Sequence, residues 1–169
     1  QKDTIEHLWN MHLKVYCLYQ TALLENVFET SYFAYMDFHA PKLFQKEFTL
    51  GFLRENFGKP HLFVSNKDQM YLPGCWGKLE TISDTFCDSV HWRFCGSFMF
   101  GTYEAVMQFY QYYSMYFKDF LDSQHRTLGW EVNYWAFLEN KVDQWNPVWY
   151  QANHDDSMVF VPGVYGYKI

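Results

Sequence analysis

Tyr103, Val106, Met107, Tyr110, Tyr113, Phe117, Phe120 and Leu121 recur at three- and four-residue steps, the longest helical stripe in the chain. An apolar face of that length has to be covered by a second layer. Gly101-Thr102 just before it supplies a stop and an N-cap, with Glu104 in the first turn, where a carboxylate suits the helix dipole. Ahead of the cap, Trp92, Phe94, Gly96, Phe98 and Phe100 alternate with Arg93, Cys95, Ser97 and Met99, the pattern of a strand with one aromatic face. Gly96 within that run marks a bulge or a close backbone approach. The aromatic stripe reads as core packing rather than as a cofactor box.

The same periodicities organise the rest of the chain. Ile5, Leu8, Trp9, His12, Val15, Tyr16, Tyr19, Ala22 and Leu23 predict a helix over Thr4 to Glu25. Tyr32 to Phe38 reads as a strand, with Pro41 ending it or opening the loop that follows. Phe48 to Asn56 reads as a short helix stopped by Gly58-Lys59-Pro60, and His61 to Val64 as a short strand. Turn formers concentrated in Ser65 to Gly77 predict a surface loop. A helix is expected over Trp130 to Val142, an extended run beyond Pro147 and a last strand over Ser157 to Val161. Helices alternating with strands over 169 residues predict one α/β domain, a mixed, mostly parallel sheet flanked by helices.

Composition narrows the partners. The formal charge is -6, and no run of Lys or Arg forms a stripe for a phosphate backbone, which argues against nucleic acid. No apolar stretch reaches the roughly 18 residues of a membrane-spanning helix. Aromatic residues make up 22% of the chain, enough for large buried rings and for stacking surfaces. The four cysteines show no C-x-x-C spacing, which argues against a structural zinc site. They read as reduced, with two disulfides as the other reading, and a cytoplasmic setting is favoured over a secreted or lumenal one.

Asp37-Phe38-His39 closes the strand-like run from Ser31, and its i, i+2 spacing points a carboxylate and an imidazole from one face. The alternative is a strand end with a turn-forming Asp. His154 is the natural third member of an oxygen and nitrogen site, and such a donor set suits manganese. Asp155 and Asp156 are rival ligands or a solvated turn. Glu131 shares a helix face with Trp135, Leu138 and Val142, where lost hydration suits a general base; the other reading is a first-turn Glu that complements the helix dipole.

The order Leu8-Trp9-Asn10, Lys14, then Asn26-Val27-Phe28, then Tyr32 to Phe38 resembles the HtrL/YibB-type family of glycosyltransferase-like proteins. Members place a helix with a W-N-x-K-like segment before an N-P-F turn and a strand ending in W-I-D-F-G. This chain departs from the pattern at Val27, Tyr35 and His39. Arg93 to Gly101, the following helix and Gly129-Trp130-Glu131 are also similar to the distal half of GT-A-type transferases. The resemblance implies a GT-A-like fold entered at a later helix, without the N-terminal nucleotide-binding part. It implies Asp37 and His39 at the D-x-D positions with His154 completing a Mn2+ (or Mg2+) site. It further implies Glu131 as the catalytic acidic residue and Lys14, Gly96 and Ser97 as cofactor-binding residues.

The expected function is therefore metal-dependent transfer of a sugar from a nucleotide-sugar donor to a glycan or other hydroxyl acceptor. Two other readings stand beside it: a metal-dependent hydrolase of phosphate or glycosidic bonds, and a non-catalytic carbohydrate-binding module. Trp76, Trp92 and Trp130 are the candidates for stacking on sugar faces.

Overall fold

The Thr4 hydroxyl accepts from His7 N at 3.2 Å and caps the first helix, α1, over Ile5–Leu23. The computed structural model describes residues 4–24, 29–59, 68–124 and 128–162. The expected strand at His61 to Val64 lies outside them. Among the described residues the remaining regular elements are β1 (Tyr32–Met36), α2 (Thr49–Asn56), β2 (Tyr71–Gly74), β3 (Phe98–Thr102), α3 (Tyr103–Ser123), α4 (Glu131–Lys141) and β4 (Val148–Gln151). Thr102 is the cap of α3, as the sequence predicts: its hydroxyl accepts from Ala105 N at 3.2 Å.

The four strands form one sheet in the order β1-β3-β2-β4. β3 runs antiparallel to both β1 and β2, from Tyr32 opposite Thr102 to Met36 opposite Phe98 on one side and with Tyr71 opposite Phe100 on the other. β4 pairs in parallel with β2, from Tyr71 opposite Val148 to Gly74 opposite Gln151. The α/β class and the mixed sheet flanked by helices stand, but the sheet is mostly antiparallel rather than mostly parallel. A single crossover helix returns a strand parallel to its predecessor. β2 passes to β3 without an α-helix, so β3 comes back antiparallel to it and pairs with β1 on its other side, while β4 lies beside β2.

Three local expectations are also corrected. The strand predicted over Trp92 to Phe100 begins only at Phe98. Before it the backbone turns around Gly96, while Arg93 is buried in a two-bond ion pair with Glu139, at 2.8 and 2.7 Å. The loop predicted over Ser65 to Gly77 contains β2, with all four residues buried. Gly74 is there for close approach: a Cβ on it would lie 1.8 Å from the Arg93 carbonyl oxygen. The last predicted strand is a 3-10 turn over Asp156–Val159, although Met158 to Val161 are buried as a strand there would be.

The sheet separates two apolar layers. Phe33, Leu72 and Met99 face α1, α3 and α4, where Phe109, Phe120, Tyr134 and Trp135 are almost wholly buried. Tyr71, Phe98 and Phe100 face the other way, onto α2 and the segment Met158 to Val161. β3 is therefore covered on both faces. Helix α1 buries Leu8, His12, Lys14, Val15, Leu18 and Ala22, whereas Ile5, Trp9, Tyr16 and Leu23 of the predicted stripe are exposed. A helix with a rotated burial stripe that includes a lysine is the first sign of a polar centre inside the fold.

Candidate functional site

The strand directions bring the distant candidates to one edge of the sheet. β1, β2 and β4 end there and β3 begins there, so the residues just after β1 and β4 meet those just before β3. Asp37 N donates to the Ser97 carbonyl oxygen at 2.9 Å, one step beyond the last ladder pair. The N-terminus of α4 and the middle of α1 cover the same edge. A cavity of about 480 Å³ opens between them, lined by Lys14, Asp37, His39, Gly96, Ser97, Glu131 and His154. All seven residues singled out from the sequence are thus gathered in one place. His7, Met11, Val90, Trp92 and Trp130 complete the wall.

Lys14 is the centre of the arrangement. Its ammonium donates to Glu131 Oε1 at 2.9 Å, to Asp37 Oδ2 at 3.1 Å and to the Gly96 carbonyl oxygen at 3.1 Å. An ammonium has three N–H bonds and all three are used. Lys14 therefore positions the two carboxylates, and in this geometry has no donor left for a bound cofactor. It and Glu131 are buried, while Asp37 is about a quarter exposed at 26%. With both acids ionised, one lysine against two carboxylates leaves the cluster a formal charge of about -1.

Glu131 is the first residue of α4, and Trp130 provides no side-chain cap. Its carboxylate lies beside the Lys14 ammonium at the N-terminal end of the helix, the end that suits an acidic side chain. The two sequence readings of Glu131, dipole partner and cavity carboxylate, are compatible, because the side chain does both. Its Oε1 rests against Gly96, where an added Cβ would come within 2.2 Å. The close approach that Gly96 signalled is that of a carboxylate. Oε2 is buried without a hydrogen-bond partner among the described residues.

Asp37 is both the turn residue and the cavity carboxylate. Its carbonyl oxygen accepts from Ala40 N at 2.8 Å, opening the 3-10 turn Ala40–Leu43, while its side-chain Oδ1 accepts from the Tyr35 hydroxyl at 2.7 Å. Burial, and then the carboxylate that it donates to, push the Tyr35 phenol up. His12, two residues before Lys14 and also buried, donates from Nε2 to the Gly129 carbonyl oxygen at 2.9 Å. Its Nδ1 accepts from the Tyr113 hydroxyl at 2.5 Å. Burial lowers the His12 pKa against the opposing pull of that carbonyl and of Glu131.

His154 stands edge-on to Trp92, ring centroids 4.3 Å apart, and burial lowers its pKa. It does not join Asp37 and His39. Among the described residues, the group of three potential ligand atoms lying within 4.8 Å of one another is Cys75, Cys95 and His154. Neither rival acid is a cavity ligand. Asp155 accepts from Ser157 N at 2.8 Å, and Asp156 is buried, accepting from Gln45 N at 2.6 Å, Lys46 N at 3.0 Å and the Thr49 hydroxyl.

Sequence reasoning passed over His7 and Met11. With Lys14 they stand at i, i+4 and i+7, one face of a helix, which was the available signal for a second, polar-ended stripe on α1. No helix among the described residues is long and apolar enough to cross a membrane. No family model, no curated protein and no solved structure matches this chain.

Proposed function

We propose that this cavity performs glycosyl transfer, moving a sugar from a nucleotide-sugar donor to a hydroxyl of an acceptor. The observation that carries the reading is the Glu131 carboxylate. Glu131 lines the cavity; Lys14 fixes one of its oxygens, and the other is buried with no hydrogen-bond partner among the described residues. An unpaired buried acceptor costs about 1 to 3 kcal/mol, and more when charged, so it is a natural receiver for an acceptor hydroxyl. In the step, the acceptor oxygen bonds to the anomeric carbon while its proton passes to Glu131 Oε2. The bond from that carbon to the donor phosphate breaks, and the diphosphate leaves with the electron pair. The excess negative charge of the cluster suits sugar hydroxyls and the positive charge that grows on the anomeric carbon. Trp92 and Trp130 on the wall offer ring faces and edges to the sugar.

Manganese, which the family resemblance implies, does not fit the donors present. Both Asp37 oxygens already accept from side chains, one of them from a cation, and His39 and His154 do not converge on it within ligand distance. The positive charge beside Asp37 is the Lys14 ammonium.

The test is a survey of nucleotide sugars against hydroxyl acceptors, read by release of the nucleoside diphosphate, with Glu131→Gln beside the wild type. The substitution keeps the shape and the Lys14 contact. Folding is expected to be retained and turnover to fall at least about a hundredfold, the cost of a lost general base. Sugar released to water without an acceptor would reassign the site to hydrolysis. Sugar binding without any turnover would make it a carbohydrate-binding cavity.

A further inference from the structure

Cys75, Cys95 and His154 follow or precede three different strands: Cys75 comes directly after β2, Cys95 shortly before β3 and His154 shortly after β4. The sheet directions that build the cavity also bring these three side chains together. Cys75 Sγ lies 3.5 Å from Cys95 Sγ and 3.8 Å from His154 Nδ1, and the three ligand atoms all fall within 4.8 Å of one another. All four cysteines are free thiols.

Those separations are close to the edges of a coordination tetrahedron. With zinc to sulfur bonds of about 2.3 Å and zinc to nitrogen bonds of about 2.0 to 2.1 Å, tetrahedral angles put two sulfurs about 3.8 Å apart and a sulfur and a nitrogen about 3.6 Å apart. A disulfide would need the sulfurs at about 2.05 Å. The support around the three groups is rigid. Cys95 N donates to the Pro73 carbonyl oxygen at 2.7 Å, Cys75 N to the Trp92 carbonyl oxygen at 3.0 Å, and the His154 ring is held against Trp92.

We propose that Cys75, Cys95 and His154 form a zinc site, with two thiolates and one imidazole as protein ligands and the fourth position taken by water. As the two sulfur to metal bonds form, both thiol protons pass to solvent, and His154 binds through Nδ1 in its neutral form. The ion ties the end of β2, the approach to β3 and the exit from β4 at the edge where the cavity lies. The spacing is invisible to a C-x-x-C search because the two cysteines come from different strand ends. The site does not depend on glycosyl transfer, which uses Lys14, Asp37 and Glu131.

The experiment is titration of the reduced full chain with Co2+ and then Zn2+, followed by absorbance. One equivalent of Co2+ is expected to give the thiolate charge-transfer band and the visible bands of a tetrahedral centre, which Zn2+ then abolishes. Zn2+ should also raise the melting temperature, as any ligand specific for the folded state does. Cys95 is fully buried, so the informative variants are Cys75→Ser and His154→Ala at more accessible positions. Each is expected to weaken Zn2+ binding at least about a hundredfold, the upper end of what losing even an outer-shell partner costs. The proposal fails if reduced protein gives no thiolate band with Co2+. It also fails if the band survives Cys75→Ser and disappears in a Cys17→Ser, Cys87→Ser double variant.

Discussion

Lys14 and Glu131, 117 positions apart in sequence, form a buried ion pair 2.9 Å long, and the same ammonium reaches Asp37. Removing one member of such a cluster leaves uncompensated charge behind. Lys14→Met fits the buried volume but strands the Glu131 carboxylate in the protein interior. The expected cost is about 3 to 5 kcal/mol, the range for breaking a buried pair from one side. Urea unfolding followed by Trp fluorescence measures it. A loss below about 1 kcal/mol would mean that the pair is solvated and that Lys14 does not organise the site.

Gly96→Ala tests the packing of the same carboxylate. The new Cβ would sit 2.2 Å from Glu131 Oε1 and 3.2 Å from Val132 Cγ1, so the side chain has to move off Lys14. Overpacking of this kind costs about 1 to 3 kcal/mol. If the clash is with the carboxylate, Glu131→Ala should relieve it. The double variant is then expected to be more stable than the sum of the singles predicts, by about 0.5 to 3 kcal/mol. Strict additivity in the cycle would place the strain elsewhere.

Much of this geometry was legible in the sequence, for identifiable reasons. Period-3.6 patterning located α1, α3 and α4, and the Thr102 cap fixed the start of α3, because those signals are local. Strand directions are not local: they depend on what joins two strands, and the connection from β2 to β3 carries no α-helix, so β3 returns antiparallel and both of its pairings depart from what alternation alone suggests. Pro73 and Gly74 read as turn formers, yet both are in β2, where Gly74 yields to the Arg93 backbone. Lys14 enters from the sequence only as a cofactor-binding residue that the resemblance implies; its place at the centre of the carboxylates rests on partners 23 and 117 positions away. The Cys75, Cys95 and His154 cluster is hidden in the same way, since only the sheet edge makes the three neighbours.

Asp156 is an anchor for the chain ahead of α2 rather than a site residue. Asp156→Ala would leave Gln45 N, Lys46 N and the Thr49 hydroxyl without their acceptor. Each buried donor deprived of a partner costs about 1 to 3 kcal/mol, less where water can reach it. The expected total is at least about 2 kcal/mol. Hydrogen exchange should accelerate over residues 45–56 and stay unchanged at α4, because the anchor and the Lys14 cluster share no side chain. Faster exchange at α4 would show that the two sites are one cooperative unit.

His12 gives the fold a dependence on acid. Burial lowers its pKa in the folded chain, while the unfolded chain titrates near the usual value of about 6.5. Above that value both states are neutral at His12 and its contribution is fully present. As the pH falls below about 6.5, the unfolded chain takes up a proton that the fold refuses, so stability drops until the pH passes the lowered folded value. Protonation would place a second N–H on the ring at Nδ1, where the Tyr113 hydroxyl now donates, while the charge of Glu131 pulls the other way. His91 and His154 are shifted in the same direction, so a residual slope remains without His12. The measurement is unfolding free energy at pH 7.5 and 5.5 in the wild type and in His12→Gln. Over that interval the wild type is expected to lose up to about 1.4 kcal/mol more than the variant, the worth of one proton over one pH unit. Equal losses in the two proteins would show that the His12 ring accepts its second proton inside the fold.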